Sequence, residues 1–265
     1  MKEDSVKQTV IKRFSAAADT YDARATVQTT VAGKLMPMIP VTPPARRILE
    51  VGCGTGLLTR FLLQCFPNAD IDAIDTAPGM IDRARRHFGA EPRMNWVLAD
   101  AGEFQGSAPY SLIVSNCTLH WMDPFAQGMR HVASLLDRGG RLVFSIMLNG
   151  TLGELRDSRL RVAPGKPPFG RLPTIEEVGQ NLELAGCDVI DAREETEVET
   201  YPSAYDFIRS IHELGVTGGA VSRSHLPLSR IELSQLLTDY EEHWTAEGDK
   251  VYASFHAGYV TAVKR

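Results

Sequence analysis

Cysteine is scarce in this chain. Cys53, Cys65, Cys117 and Cys187 lie far apart among 265 residues, with no C-x-x-C pair and no histidine at zinc-ligand spacing. A zinc module and a disulfide scaffold are therefore not expected. Three of the four stand in apolar or glycine-turn contexts that suit small buried thiols, which fits a reducing cytoplasm. Long apolar runs are missing too. No stretch approaches ~18 consecutive apolar residues, and no apolar run follows Met1-Lys2-Glu3-Asp4, so neither a membrane span nor secretion is expected. Positive charge is in deficit: 28 Lys and Arg against 33 Asp and Glu leave a net charge of −5, which disfavours a nucleic-acid partner. Internal repeats and low-complexity tracts are absent as well. What remains, 43% hydrophobic and 23% charged, is ordinary for a globular chain long enough for one large domain with an appended lid.

The periodicity gives the organisation. Val6, Val10 and Phe14, then Val27, Val31 and Leu35, recur at helical spacing, predicting one or two helices that end at the Pro37–Pro44 stretch. Strands and helices then alternate, which implies a mostly parallel sheet with helices on both faces. Strands are expected at 47–51, 71–74, 94–98, 111–115 and 141–146. Helices are expected at about 57–66, 80–88 and 124–136, the last capped by Asp123 and closed by Gly139-Gly140. Beyond Gly150 lie an irregular basic stretch, a helix opened by the capping box Thr174-x-x-Glu177, and a strand over 189–198. Residues 203–246 read as helical, with Ser203 as one cap and Ser229-x-x-Glu232 as another capping box. Ile231, Leu233, Leu236, Leu237, Tyr240 and Trp244 are the expected buried stripe. An alternating strand over 252–263 closes a sheet of seven.

The chemistry concentrates at strand ends. The first strand runs into Glu50-Val51-Gly52-Cys53-Gly54-Thr55-Gly56, where glycines permit a sharp bend and a close backbone approach to a ligand. A bare tight turn is a poor explanation, since three glycines cost roughly 0.5–1 kcal/mol each. A dinucleotide fingerprint would need a third glycine at position 57, which is Leu57, and Glu50 would repel a pyrophosphate. A carboxylate there suits a ligand bearing an ammonium and a sulfonium. E-x-G-x-G-x-G resembles the first motif of the Rossmann-like class I methyltransferases that use S-adenosyl-L-methionine. Asp75, 23 residues after Gly52, is placed to meet a ribose diol. Asp100, followed by Ala101, is a candidate for the adenine amino group, and Asn116 for the methionine end; either acid alone could be a helix cap, but their joint placement at successive strand ends is much harder to explain that way. Met80, opening the helix after Asp75, joins the cofactor candidates. The sequence Ser115-Asn116-Cys117-Thr118-Leu119-His120-Trp121 lacks the double-proline motif of base-modifying aminomethyltransferases, and no acid cluster suits a hard cation, so no metal is expected.

Further motifs narrow the family. Phe14-Ser15-Ala16-Ala17-Ala18-x-x-Tyr21, Ser115-Asn116…Trp121, Gly150-Thr151-Leu152-x-Glu154-Leu155, Arg171-Leu172-Pro173-x-x-Glu176 and Ile208-Arg209-Ser210-Ile211-x-x-Leu214-Gly215-Val216-Thr217 together resemble the malonyl-acyl-carrier-protein O-methyltransferases of biotin precursor synthesis. His120 departs from the glutamine often found at its position. The resemblance implies one methyltransferase domain over 1–265: a helical cap (1–44), a cofactor-binding core (45–149), a helix and strand with a basic loop (150–202), a helical lid (203–250) and a last strand (251–265). It implies S-adenosyl-L-methionine as cofactor and malonyl-acyl carrier protein or malonyl-CoA as acceptor. Arg209, in the lid, would clamp the malonyl carboxylate bidentately, unless it is an exposed helix charge. His120 would donate a second hydrogen bond or cap its strand. Tyr21 would close over the cofactor or merely pack. Arg171, Tyr205, Tyr252 and His256 are further candidates for the acceptor. The basic residues Arg156, Arg159, Arg161, Lys166 and Arg171 outnumber Glu154 and Asp157 locally, which suggests docking of an acidic carrier. A free acid such as aconitate, a carbon acceptor on a quinone precursor, and a non-catalytic binding role stay open.

Overall fold

The computed structural model describes residues 3–168, 170–216 and 226–265, with side chains from Lys7 onward. The Val6 side chain and Thr217, both singled out above, lie outside the described residues, as do 218–225 of the expected lid. In chain order the elements begin with helices α1 (Glu3–Ala17), α2 (Tyr21–Arg24) and α3 (Thr26–Leu35). The alternating part follows as β1 (Arg47–Val51), α4 (Thr59–Cys65), β2 (Asp70–Asp75), α5 (Pro78–Phe88), β3 (Met94–Leu98), β4 (Tyr110–Ser115), α6 (Phe125–Ser134) and β5 (Leu136–Met147). Then come α7 (Gly153–Val162), α8 (Ile175–Leu184), β6 (Cys187–Tyr201), α9 (Ala204–Glu213), α10 (Arg230–His243), β7 (Thr245–Ala246) and β8 (Lys250–Lys264). No described helix is long and apolar enough to cross a membrane.

The strand order is β3-β2-β1-β4-β5-β8-β6, with β7 paired to β8. β1 to β5 pair in parallel and β8 is antiparallel to β5. This is the expected α/β architecture of seven long strands. The two-residue β7 is an addition that no periodicity could signal. β3 and β6 form the two edges. Successive strands run outward from β1 to β3, and the chain then returns to the other side of β1, so the order reverses between β1 and β4.

Two compact units divide the chain. The first comprises residues 28–147, 173–195 and 257–265. Its core is built from the inner strands, where Ile48, Leu49, Ile113, Val114, Val143 and Phe144 are wholly buried. α8 opens with the predicted capping box, the Thr174 hydroxyl accepting from Glu177 N–H and the Glu177 carboxylate accepting from Thr174 N–H. Two expectations around α6 fail. Asp123 is not its cap, because extended Pro124 occupies the N-cap position and the helix begins at Phe125. Gly139-Gly140 does not close the helix either. Register passes from Tyr110↔Leu136 to Leu112↔Arg141, so the glycines lie in an irregularity of β5. A Cβ on Gly140 would stand 2.8 Å from the Asp137 carbonyl oxygen and 2.9 Å from that of Tyr110, too close for any side chain.

The second unit comprises residues 1–27, 148–172 and 196–256. Tyr201, Phe207 and Tyr240 stack in series, with ring centroids 5.2 and 5.0 Å apart, and join α9 to α10. Ser203 caps α9 by accepting from Asp206 N–H, and Ser229 with Glu232 forms the capping box of α10. The expected stripe on α10 is narrower than predicted: Leu236 and Tyr240 are buried, but Ile231 is 72% and Leu233 41% exposed. Ile231 lies about 140° around the helix from Leu236, off the packed face.

Candidate active site

β1 ends where the strand order reverses, so the turn after it opens onto the rim at which open α/β sheets bind ligands. Gly52 and Cys53 donate their N–H groups to the Ile74 carbonyl at 2.8 and 3.0 Å, pinning the turn against β2. Gly52, Gly54 and Gly56 all take positive φ, at 68°, 55° and 98°. A Cβ on Gly52 would overlap the Thr118 side chain, and one on Gly56 the Phe88 ring. At Gly54 it would meet no described atom within 4 Å. The outer glycines are required by packing; the middle one presents bare backbone to open space, a cradle that a Cβ would fill.

Asp75 faces that cradle. Its Oδ2 accepts from Gly54 N–H at 3.0 Å and its Oδ1 from Ala77 N–H at 2.8 Å. Burial raises its pKa, opposed by hydrogen bonds from the backbone of Ala77, Gly54 and Thr76. Both oxygens are thus oriented while keeping lone pairs for two further donors, the requirement of a diol. Glu50 is 2% exposed, and its Oε2 accepts from the Thr59 hydroxyl at 2.6 Å. Burial pushes its pKa up to about 8, against the Thr59 hydrogen bond, and the nearby Asp75 charge adds to the rise. The Cys53 thiol is buried in the same turn and held well above the ordinary thiol range, so it is inert.

The remaining core candidates occupy adjoining strand ends. Asp100 follows β3, and its Oδ1 accepts from Gly102 N–H at 2.7 Å, shaping the turn that carries Ala101. Met80 is buried in the first turn of α5. Asn116, just beyond β4, uses both ends of its amide: Nδ2 donates to the Gln28 main-chain carbonyl at 3.1 Å, and Oδ1 accepts from the Ser145 hydroxyl at 2.7 Å. It thereby ties α3 to the ends of β4 and β5. His120 sits in a single 3₁₀ turn over Leu119–Trp121. Its Nδ1 accepts from Met147 N–H at 3.4 Å, and burial lowers its pKa to about 3. The imidazole is therefore neutral with its hydrogen on Nε2, a donor and not a base.

In the second unit, Tyr21 opens α2 and meets the Phe14 ring edge-on at 6.4 Å. Arg209 is exposed on α9, where its Nε donates to Glu213 at 2.8 Å, and the other Glu213 oxygen lies 2.7 Å from Arg24. Tyr205 is 60% exposed, and Arg171 is exposed beside the Leu172 carbonyl. Tyr252 stacks edge-on with Trp244 at 6.3 Å, and its carbonyl accepts from the Tyr240 hydroxyl. The His256 Nδ1 lies 3.2 Å from the Thr196 hydroxyl, with Gly150 packed against the ring. The expected basic patch is largely spent on internal pairs. Arg161 forks onto Asp239, Lys166 binds Glu232 at 2.7 Å, Arg159 is buried against backbone carbonyls, and Arg156 pairs with Asp157. A charge count over 151–171 omits the acids that α10 contributes.

Sequence reasoning missed the residues that hold the site in shape, Thr59, Thr118 and Ser145. For Ser145 the signal was a hydroxyl inside an otherwise apolar stretch, Leu142-Val143-Phe144-Ser145-Ile146. With this geometry in view, the relatives are informative. A methyltransferase domain model matches residues 49–142. The malonyl-acyl-carrier-protein O-methyltransferase of Anoxybacillus flavithermus is 34% identical over 266 residues, covering 96% of each chain. The chain belongs to that family. It is a methyltransferase of the α/β class. Among solved structures, a Bacillus halodurans C-125 protein superposes with a TM-score of 0.62 at 13% identity, covering 89% of this chain and 99% of its own. The magnesium protoporphyrin IX methyltransferase of Synechocystis PCC 6803, solved with bound S-adenosylhomocysteine, gives 0.53 at 16% identity, covering 90% and 83%. At such identities the likeness is one of fold, and the fold is Rossmann-like.

Proposed function

We propose that this enzyme moves a methyl group from S-adenosyl-L-methionine to the free carboxylate of malonyl-acyl carrier protein, or of malonyl-CoA, making the ester required for biotin precursors in the cytoplasm. The full-length relative named for that reaction supports the acceptor. The cofactor supplies an electrophilic methyl on a cationic sulfur. Around it, Gly52, Gly54 and Gly56 shape the cradle, Asp75 accepts from the ribose hydroxyls, and Glu50 offsets positive charge. Asp100 and Ala101 meet the adenine, Met80 supports that end, and Asn116 secures the methionine end. Tyr21 is assigned to the cofactor on the family resemblance.

The observation that carries the choice of nucleophile is the state of His120. With Nδ1 taken by Met147 N–H and the cation disfavoured, this histidine has no site for an abstracted proton. Methylation at carbon on a quinone precursor would need such a base. A malonyl carboxylate needs none, being ionised near neutral pH, about three units above an ordinary carboxyl pKa. The work left to the protein is alignment and exclusion of water, and orientation alone supplies roughly 7–11 kcal/mol in favourable cases. His120 donates from Nε2, and Arg209 binds the carboxylate in exchange for Glu213. Tyr205, Arg171, Tyr252 and His256 complete the assignment of acceptor ligands.

Incubation with methyl-labelled cofactor and, separately, malonyl-acyl carrier protein, malonyl-CoA, aconitate and a quinone precursor tests the reading. Label is expected on the malonyl acceptors. Label on aconitate or the quinone precursor alone overturns the acceptor. Arg209→Ala is expected to lower kcat/KM at least about tenfold, the loss of one charge-assisted hydrogen bond; a change of only a few-fold dismisses the clamp.

A further inference from the structure

One buried group at the sheet rim has no partner. Gln28 lies on α3, is 8% exposed, and its Oε1 is buried with nothing to accept from. The residue is held firmly in place. Its main-chain carbonyl accepts from the Asn116 amide at 3.1 Å, and that amide is fixed in turn by the Ser145 hydroxyl at 2.7 Å. Ser115, one residue earlier on β4, donates its hydroxyl to the Val51 carbonyl at the mouth of the glycine turn. Gln28 therefore belongs to the β1–β4–β5 side of the rim, whereas Asp75 marks the β2 side. An acceptor buried without a donor is costly, and the cost disappears if a ligand brings the donor.

The chemistry selects among the donors. The ribose hydroxyls belong with Asp75 on β2, and the adenine amino group with Asp100 beyond β3. The donor left for the β4 side is an ammonium, which an amide oxygen accepts well and an amide nitrogen would repel. We propose that Gln28 Oε1 accepts a hydrogen bond from the α-ammonium of the bound sulfonium amino acid, making Gln28 a cofactor ligand. The inference rests on the cofactor proposed above. It also gives the Asn116 amide a purpose: held on β5 by the Ser145 hydroxyl, it fixes the position of Gln28 on α3.

Calorimetry on the full chain separates this from a packing role. The probes are S-adenosylhomocysteine, which carries the ammonium, and 5′-methylthioadenosine, which keeps the adenosine and sulfur but lacks the amino-acid part. Gln28→Met fills similar space without the oxygen. It is expected to weaken S-adenosylhomocysteine about tenfold, the net worth of a hydrogen bond to a charged group, and to leave methylthioadenosine unchanged. Gln28→Glu keeps an acceptor and is expected to hold or tighten S-adenosylhomocysteine relative to methylthioadenosine, so the proposal stays testable if Gln28→Met fails to fold. Equal loss of both probes in either variant, or no loss in Gln28→Met, overturns it. Failure of the unaltered protein to bind S-adenosylhomocysteine would instead overturn the cofactor reading itself.

Discussion

Glu50 is a buried carboxyl and Asp75 a half-buried one, and the two differ in provision. Asp75 is fastened by two backbone N–H groups, Glu50 by a single hydroxyl. Burial lifts Glu50 to about 8, above its unfolded value. Its contribution to folding is therefore complete in acid and declines as pH rises from the ordinary carboxyl range towards 8. Glu50→Gln should flatten that limb of a stability-against-pH curve measured by thermal melts. The same carboxyl must ionise to serve a cationic ligand. Uptake of S-adenosylmethionine at pH 7 is expected to release close to one proton, visible as calorimetric heats that vary with the buffer's ionisation enthalpy, and Glu50→Gln should abolish that variation. For Asp75 the expected effect is on affinity. Asp75→Asn turns an amide NH₂ towards a backbone donor and should weaken S-adenosylhomocysteine about a hundredfold with only a modest loss of melting temperature.

At the scale of elements, the glycine turn separates fold from function by position. Gly52→Ala and Gly56→Ala drive a Cβ into Thr118 and Phe88, and each should cost at least about 2 kcal/mol in chemical denaturation. Gly54→Ala meets no neighbour, so it should lose only about 1–2 kcal/mol of backbone strain while its cofactor affinity collapses. The elements most legible in the sequence were those specified by short-range chemistry. Thr174, Ser203 and Ser229 announce caps because a hydroxyl three residues ahead of a backbone N–H leaves few other solutions. Met94–Leu98 is bounded by turns and was readable end to end. Gly139-Gly140 misled because a glycine pair signals a helix end and a strand irregularity equally well; only the register against β4 decides. The glycine turn, Glu50 and Asp75 were visible as types at spacings, but not which glycine faces the ligand, since Thr118 and Phe88 are distant in sequence.

Over the whole molecule, charge was the property least visible in a window. Two of the basic residues at 156–171, Arg161 and Lys166, are paired from α10 by Asp239 and Glu232, and they fasten α7 and its following loop. Arg161→Ala is accordingly expected to lower the melting temperature while leaving the KM for malonyl-acyl carrier protein within about twofold, because a pair already spent inside the molecule has little left for a partner. The edge strand β6 carries the opposite excess: six carboxylates to one guanidinium over fifteen residues, an excess that remains after Glu195 pairs with Lys34 and Asp188 with Arg265. Among the described residues it pairs on one side only, with β8. Such a ribbon would otherwise invite a neighbouring molecule to add itself as the next rung. Its acidity makes every copy repel its own kind there, so colloidal solubility is written into the border of the sheet and should fade when salt or acid silences those carboxylates.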